Sequence, residues 1–129
     1  MGRFSPTLMD HFESPRNVGR LESPDLTGEA SLDGHAPFIA LDLRLADGIV
    51  QQARFRASGC GVAIAAASAL TELVIGRTCA ACSHLASSDV AHALDSIPPD
   101  KYFCATVAIR ALQDALVKRL ERVPQLERP

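Results

Sequence analysis

Cys60 and Cys104 each stand just before a long run of helical character, GVAIAAASALTELV after the first and ATVAIRALQDAL after the second. A helix N-terminus carries partial positive charge and unpaired N–H groups. It lowers a thiol pKa and favours the anion that binds metal or carries sulfur. Gly59 and Gly61 are expected to leave Cys60 open to a ligand. The competing reading makes both cysteines small buried hydrophobes, the usual fate of an isolated cysteine. Cys79 and Cys82 form a separate CxxC pair in TCAAC. Such pairs serve thiol redox chemistry or half of a zinc site, but neither a second pair nor a βαβ pattern accompanies this one. His84 and His92 read as surface helix residues.

The elements that must carry these residues follow from periodicity and punctuation. Ser5-Pro6 is a cap and first-turn pair, Leu8, Met9 and Phe12 fall at helical spacing, and Ser14-Pro15 stops the run. RNVGRLESPDLTG reads as a surface loop, with a strand near Glu29–Asp33. Ile39, Leu41, Leu43 and Leu45 alternate, Asp47-Gly48 supplies a tight turn, and Ala53, Phe55 and Ala57 alternate again, which predicts a hairpin with one buried face. The apolar helix after Cys60 closes at Gly76. Thr78, then Ser88 or Asp89, can cap two short helices, and Ile97-Pro98-Pro99 forces an extended break. The last helix carries a stripe of Ala108, Leu112, Leu116 and Leu120 and is expected to end at Pro124, leaving a frayed tail.

The 129 residues fit one domain, residues 1–129, and 47% hydrophobic with 22% charged residues suits a folded globular chain. A net charge of −2 without a Lys/Arg run, and no Trp, argues against nucleic acid. The first residues, MGRFSPTLMDHF, resemble neither a signal peptide nor a membrane span, so the expectation is a cytoplasmic protein without a membrane partner, whose cysteines are thiols or metal ligands.

HFESPRNVG, ARFRASGCGVAIAAASALTELVIGRT and IPPDKYFCATVAIRAL, in this order from about Ser5 to Leu120, resemble the motifs of NifU/IscU-type iron–sulfur cluster scaffolds. The resemblance implies an α+β fold, a three-stranded antiparallel sheet packed by helices. It also implies a site of three cysteines, an aspartate and a histidine where a cluster is assembled before transfer to recipient apo-proteins. The second family cysteine falls on Cys60, the third on Cys104, and the lysine three residues before it on Lys101. With the strand Ile39–Leu45 kept in register, His35 occupies the first cysteine position, Pro37 replaces the aspartate and Phe103 the histidine.

The resemblance makes Cys104 the sulfur acceptor, and Cys60, Cys104 and His35 the ligands of a transient iron–sulfur cluster or iron. A two-iron cluster takes four protein ligands, so one position is open. Two thiolates and an imidazole would equally suit zinc. A cysteine desulfurase is the implied partner. The IPPDK segment resembles a chaperone-recognition stretch, but Asp100 stands where an apolar residue is expected, which weighs against that partner. Three functions stay open: a non-enzymatic scaffold or carrier that accepts sulfur, a zinc-binding sulfur acceptor, and a metal-free interaction module.

Overall fold

The computed structural model describes residues 3–127, with side chains for residues 3–119. Helix α1 spans Pro6–Glu13; the Ser5 hydroxyl accepts the Leu8 N–H at 2.9 Å, and Pro6 sits where no N–H is needed. Three strands follow, β1 (Leu26–Leu32), β2 (His35–Ala46) and β3 (Ile49–Ser58), then α2 (Gly61–Val74), α3 (Cys79–Cys82), α4 (Ser87–Ala93), a 3₁₀ turn at Pro99–Lys101 and α5 (Phe103–Glu127). The strands form one antiparallel sheet in the order β1-β2-β3.

Asp47 and Gly48 both have positive φ, 54° and 77°, the backbone that a two-residue hairpin turn requires. Leu41 pairs with Phe55 and Leu43 with Ala53, and all four are buried with Ile39 and Val50. Helices α2 and α5 pack on the sheet. Helix α2 is enclosed along most of its length: Val62, Ala63, Ala65, Ala66, Leu70 and Val74 are all buried.

β1 begins at Leu26, three residues before the expected strand, and ends at Leu32, with Asp33 in the turn. Gly28 explains the discrepancy. In the sequence it looks like punctuation, but a Cβ there would lie 2.2 Å from the Ala111 carbonyl oxygen and 2.5 Å from the Ala115 nitrogen. Glycine here lets α5 rest directly on β1. The same helix reaches the outer side of that strand: the Asp114 carboxylate accepts the Glu29 N–H at 3.0 Å, and Lys118 donates to the Thr27 carbonyl at 3.1 Å.

The predicted surface loop after α1 runs along β3, where the Gly19 N–H donates to the Phe55 carbonyl and the Phe55 N–H to the Asn17 carbonyl. At the other end of β3, Val50 donates to the Arg77 carbonyl. Asp42, buried in β2, receives both Arg56 Nη atoms, at 3.1 and 3.2 Å, and the Leu21 N–H at 3.0 Å. Its charge is thereby paired and hydrogen-bonded, as burial demands.

Two helix boundaries differ from expectation. Ala86, not Ser88 or Asp89, is the N-cap residue of α4, because Asp89 reaches back to accept the Ala86 N–H at 2.8 Å. Helix α5 continues through Pro124 to Glu127; a proline removes one N–H and crowds the preceding turn without always ending a helix. Of the expected tail, residues 125–127 are therefore helical, and residues 128–129 lie outside the described residues. No helix among the described residues is long and apolar enough to cross a membrane.

Candidate functional site

The end of β3 and the start of α2 deliver Cys60, which occupies the N-cap position with extended φ and ψ of −84° and 166°. The first turn of α5 delivers Cys104. The fold brings these residues, 44 apart in sequence, to an Sγ–Sγ separation of 3.5 Å. Cys60 is half-buried, whereas Cys104 has no exposed surface.

Their environments push the two thiols apart. Burial opposes ionisation of Cys60. The Ala63 and Val62 N–H groups, the Cys104 thiol and the Lys101 charge outweigh it and hold Cys60 below its ordinary value. Cys104 is pushed up to about 12, first by burial and then by its hydrogen bond to Cys60 and that neighbour's charge. When the pair loses a proton it goes from Cys60 first, and Cys104 is then the thiol left to donate across the 3.5 Å contact. Cys104, expected as the sulfur acceptor, is thus the less accessible of the two and the harder to ionise.

Cys60 is approachable on the Gly61 side, where Gly61 lines the pocket that reaches it, while Gly59, against expectation, is covered. A Cβ on Gly59 would stand 2.9 Å from Pro37 Cβ, and one on Gly61 would stand 2.6 Å from Phe12 Cε1. The two glycines therefore let Pro37 and Phe12 pack closely against the backbone on either side of Cys60 in sequence. Access comes from a pocket of about 300 Å³ between α1 and the start of α2, lined by Phe4, Leu8, Met9 and Phe12 and reaching Cys60 and Lys101. Lys101 supplies positive charge beside both thiols.

His35 is exposed at the start of β2, opposite Leu32. Among the described residues no group of three His, Cys, Asp or Glu side chains is placed to hold a metal, so His35 does not join the two cysteines in this geometry. Phe103 is half-buried and packs against the core. Cys79 and Cys82 are buried in α3, and burial, reinforced by Cys79, pushes Cys82 up to about 11, as befits packed thiols. His84 and His92 are exposed. Asp100, in the 3₁₀ turn, is ion-paired with Arg3.

One polar cluster was not singled out in the sequence. His11 is buried, with Nδ1 2.8 Å from the Ser68 hydroxyl and Nε2 3.5 Å from Glu72. Ser68 also accepts the Arg16 N–H, and Asn17 donates to Thr71. Ser68 has no exposed surface, so this cluster locks the loop after α1 onto α2 and offers no nucleophile. HFESPRNVG contains its first members, but nothing local announces Ser68, which is 57 residues away.

A family model described as the NifU-like N terminal domain matches residues 3–125. The chain belongs to that family. The iron-sulfur cluster assembly protein IscU of Plasmodium falciparum (isolate 3D7) is 36% identical over 123 residues, which cover 93% of this chain and 75% of that protein. The iron-sulfur cluster assembly scaffold protein IscU of Haemophilus influenzae is 34% identical over 117 residues, covering 88% of this chain and 92% of the relative. The crystal structure of a nitrogen-fixing NifU-like protein (N-terminal) from Brucella abortus superposes with a TM-score of 0.71 at 15% identity, covering 92% of this chain and 94% of the other. That likeness is one of fold, and it agrees with the α+β architecture implied by the motifs. In this NifU-like chain, the Cys60–Cys104 pair lies where two of the family's site cysteines were matched.

Proposed function

We propose that this protein is an iron–sulfur cluster assembly scaffold or carrier without catalytic turnover, which accepts sulfur and holds a transient cluster or iron at Cys60 and Cys104. The observation that carries the reading is the 3.5 Å approach of two thiols from separate elements within a NifU-like fold. Two thiolates bound tetrahedrally to one metal at about 2.3 Å lie about 3.8 Å apart, so the pair needs little movement to chelate. Soft thiolates suit iron–sulfur clusters and zinc alike. Lys101 offsets the negative charge that builds up at the pair. His35, exposed at a strand end, swings in as the third donor when the site is loaded.

The cargo is cluster or iron rather than a resident cofactor. A cysteine desulfurase is the sulfur source that fits, and apo-proteins are the recipients. The thiol separation also fits zinc, which would serve as a placeholder displaced on sulfur delivery.

Anaerobic reconstitution with ferrous iron and sulfide, followed by iron and acid-labile sulfide determination, tests the reading. Cys60→Ala and Cys104→Ala are each expected to lose the bound iron, whereas the double variant Cys79→Ala, Cys82→Ala keeps it. Full iron content in both single variants would overturn the assignment, and zinc without labile sulfide, found by elemental analysis of the protein as purified, would select the placeholder reading.

A further inference from the structure

The two thiols differ in a way that sets an order of events. Cys60 lines the pocket that reaches solvent, while Cys104 is wholly buried behind it with Cys60 as its hydrogen-bond partner. Any sulfur donor entering this site meets Cys60 first. A reacting pair in a productive arrangement stands about 3–3.5 Å apart, and the two Sγ atoms already meet that separation at 3.5 Å. Pro37 against Gly59, and Phe103 against the core, place apolar groups where the family motif has further donors.

We infer that Cys60 and Cys104 work as a sulfide-releasing dithiol: Cys60 takes sulfane sulfur from a persulfide donor, and Cys104 resolves it by closing a Cys60–Cys104 disulfide. This rests on the reading of the pair as a sulfur acceptor, and adds which thiol is loaded and how the sulfur leaves it. In the first step Cys60 Sγ attacks the outer sulfur of a donor R–S–SH. The donor's S–S bond breaks and R–SH leaves, so Cys60 carries S–SH. In the second, Cys104 Sγ attacks Cys60 Sγ. The bond to the outer sulfur breaks, and that sulfur departs with the electron pair, gaining the proton Cys104 loses. The products are a disulfide and hydrogen sulfide; the two cysteines are oxidised by two electrons and the sulfane sulfur is reduced by two. A disulfide bond of about 2.05 Å requires the sulfurs to close by roughly 1.5 Å, within the reach of side-chain rotation and a small shift at the N-cap. A dithiol reductant then restores the pair by thiol–disulfide exchange.

Glutathione persulfide under anaerobic, iron-free conditions is a suitable probe, with sulfide trapped and measured above that from the donor alone. After donor removal, intact mass and peptide mapping locate the products. The wild-type protein is expected to release stoichiometric sulfide, to become two hydrogens lighter and to yield a peptide linking Cys60 to Cys104. Cys104→Ser is expected to hold an added sulfur on Cys60 and to lose sulfide release. Cys60→Ser is expected to do neither. The wild-type linkage stands as a readout even where a variant folds poorly. A persulfide that persists on wild-type Cys60, sulfur found on Cys104, a linkage to Cys79 or Cys82, or undiminished release by Cys104→Ser would each overturn the inference alone. Failure of the wild-type protein to take up sulfur at all would overturn the sulfur-acceptor reading with it.

Discussion

Arg3 Nη2 and Asp100 Oδ2 lie 2.5 Å apart, joining the segment before α1 to the 3₁₀ turn that precedes Cys104. The hydrogen bond from Arg3 holds the Asp100 carboxyl below its usual range. Thr7 bonds to Asp95 at 2.6 Å, and the Ser5 hydroxyl donates to the Leu94 carbonyl, so α1 is tied at three points to the stretch between α4 and α5. The residue that departs from the chaperone-recognition pattern is thus one of the three that anchor the N-terminal segment. Exposed ion pairs contribute little to global stability. Arg3→Ala is expected to leave the unfolding midpoint unchanged while raising amide exchange in residues 3–8 and 99–102, read by hydrogen-exchange mass spectrometry. Unchanged exchange in both segments would show that the pair tethers nothing.

Gly28→Ala is expected to cost about 3 kcal/mol, because the new Cβ meets backbone atoms of α5 that cannot turn aside. Urea unfolding monitored by circular dichroism measures it. A loss below about 1 kcal/mol would mean that α5 can lift from β1 without penalty.

Stability should also fall between neutral and mildly acidic pH because of His11. Burial, and then the Arg16 charge, lower its pKa from 6.5, against the opposing pull of Glu72 and Asp10. Above 6.5 the folded and unfolded forms are both neutral and stability is level. As pH falls through 6.5 the unfolded chain takes up the proton first, so stability declines until the lower folded value is passed, where the slope ends. The depressed carboxyls of Asp10, Asp100 and Asp114 act only below their ordinary 3.8, well separated from this window. His11→Gln, which retains a partner for Ser68, should flatten the slope between pH 7.5 and 5.5. An equal slope in the variant would assign the effect to another group.

Phe103→His adds an imidazole next to Cys104 and is expected to slow the decay of a reconstituted cluster's visible absorbance under a fixed chelator. Losing the Phe103 packing should cost on the order of 1 kcal/mol. Equal or faster decay in a folded variant would show that the native site is not short of a donor.

Local chemistry made most of the fold legible. Asp47-Gly48 marks its hairpin, Ser5-Pro6 its first helix, and the switch from alternation to an alanine-rich run marks the β3–α2 junction at Cys60. What the sequence hid depends on distant partners. Gly28 resembles a turn residue until α5 is seen resting on it. Gly59 and Gly61 suggest an opening at Cys60, yet a sequence does not show that Pro37 packs on the first and Phe12 on the second, nor that the opening faces α1. The motif match paired Cys60 with Cys104, but their unequal exposure comes from how α1, α2 and α5 enclose them.

The hydrogen bonds along the sheet's two outer strands bear on how other molecules can approach. A three-stranded sheet ordinarily presents two rows of unpaired amide and carbonyl groups, each a template for another chain. Here residues 17–19 and Arg77 occupy groups along β3, and the side chains of Asp114 and Lys118 occupy groups along β1. Both margins are thus blunted by the protein's own chain. That protects a small sheet from aggregation by edge-to-edge pairing and discourages a partner from binding as an added strand. Recognition through side chains is favoured over strand addition, and Phe12 and Lys101, which line the pocket with Cys60, are among those beside the chemistry.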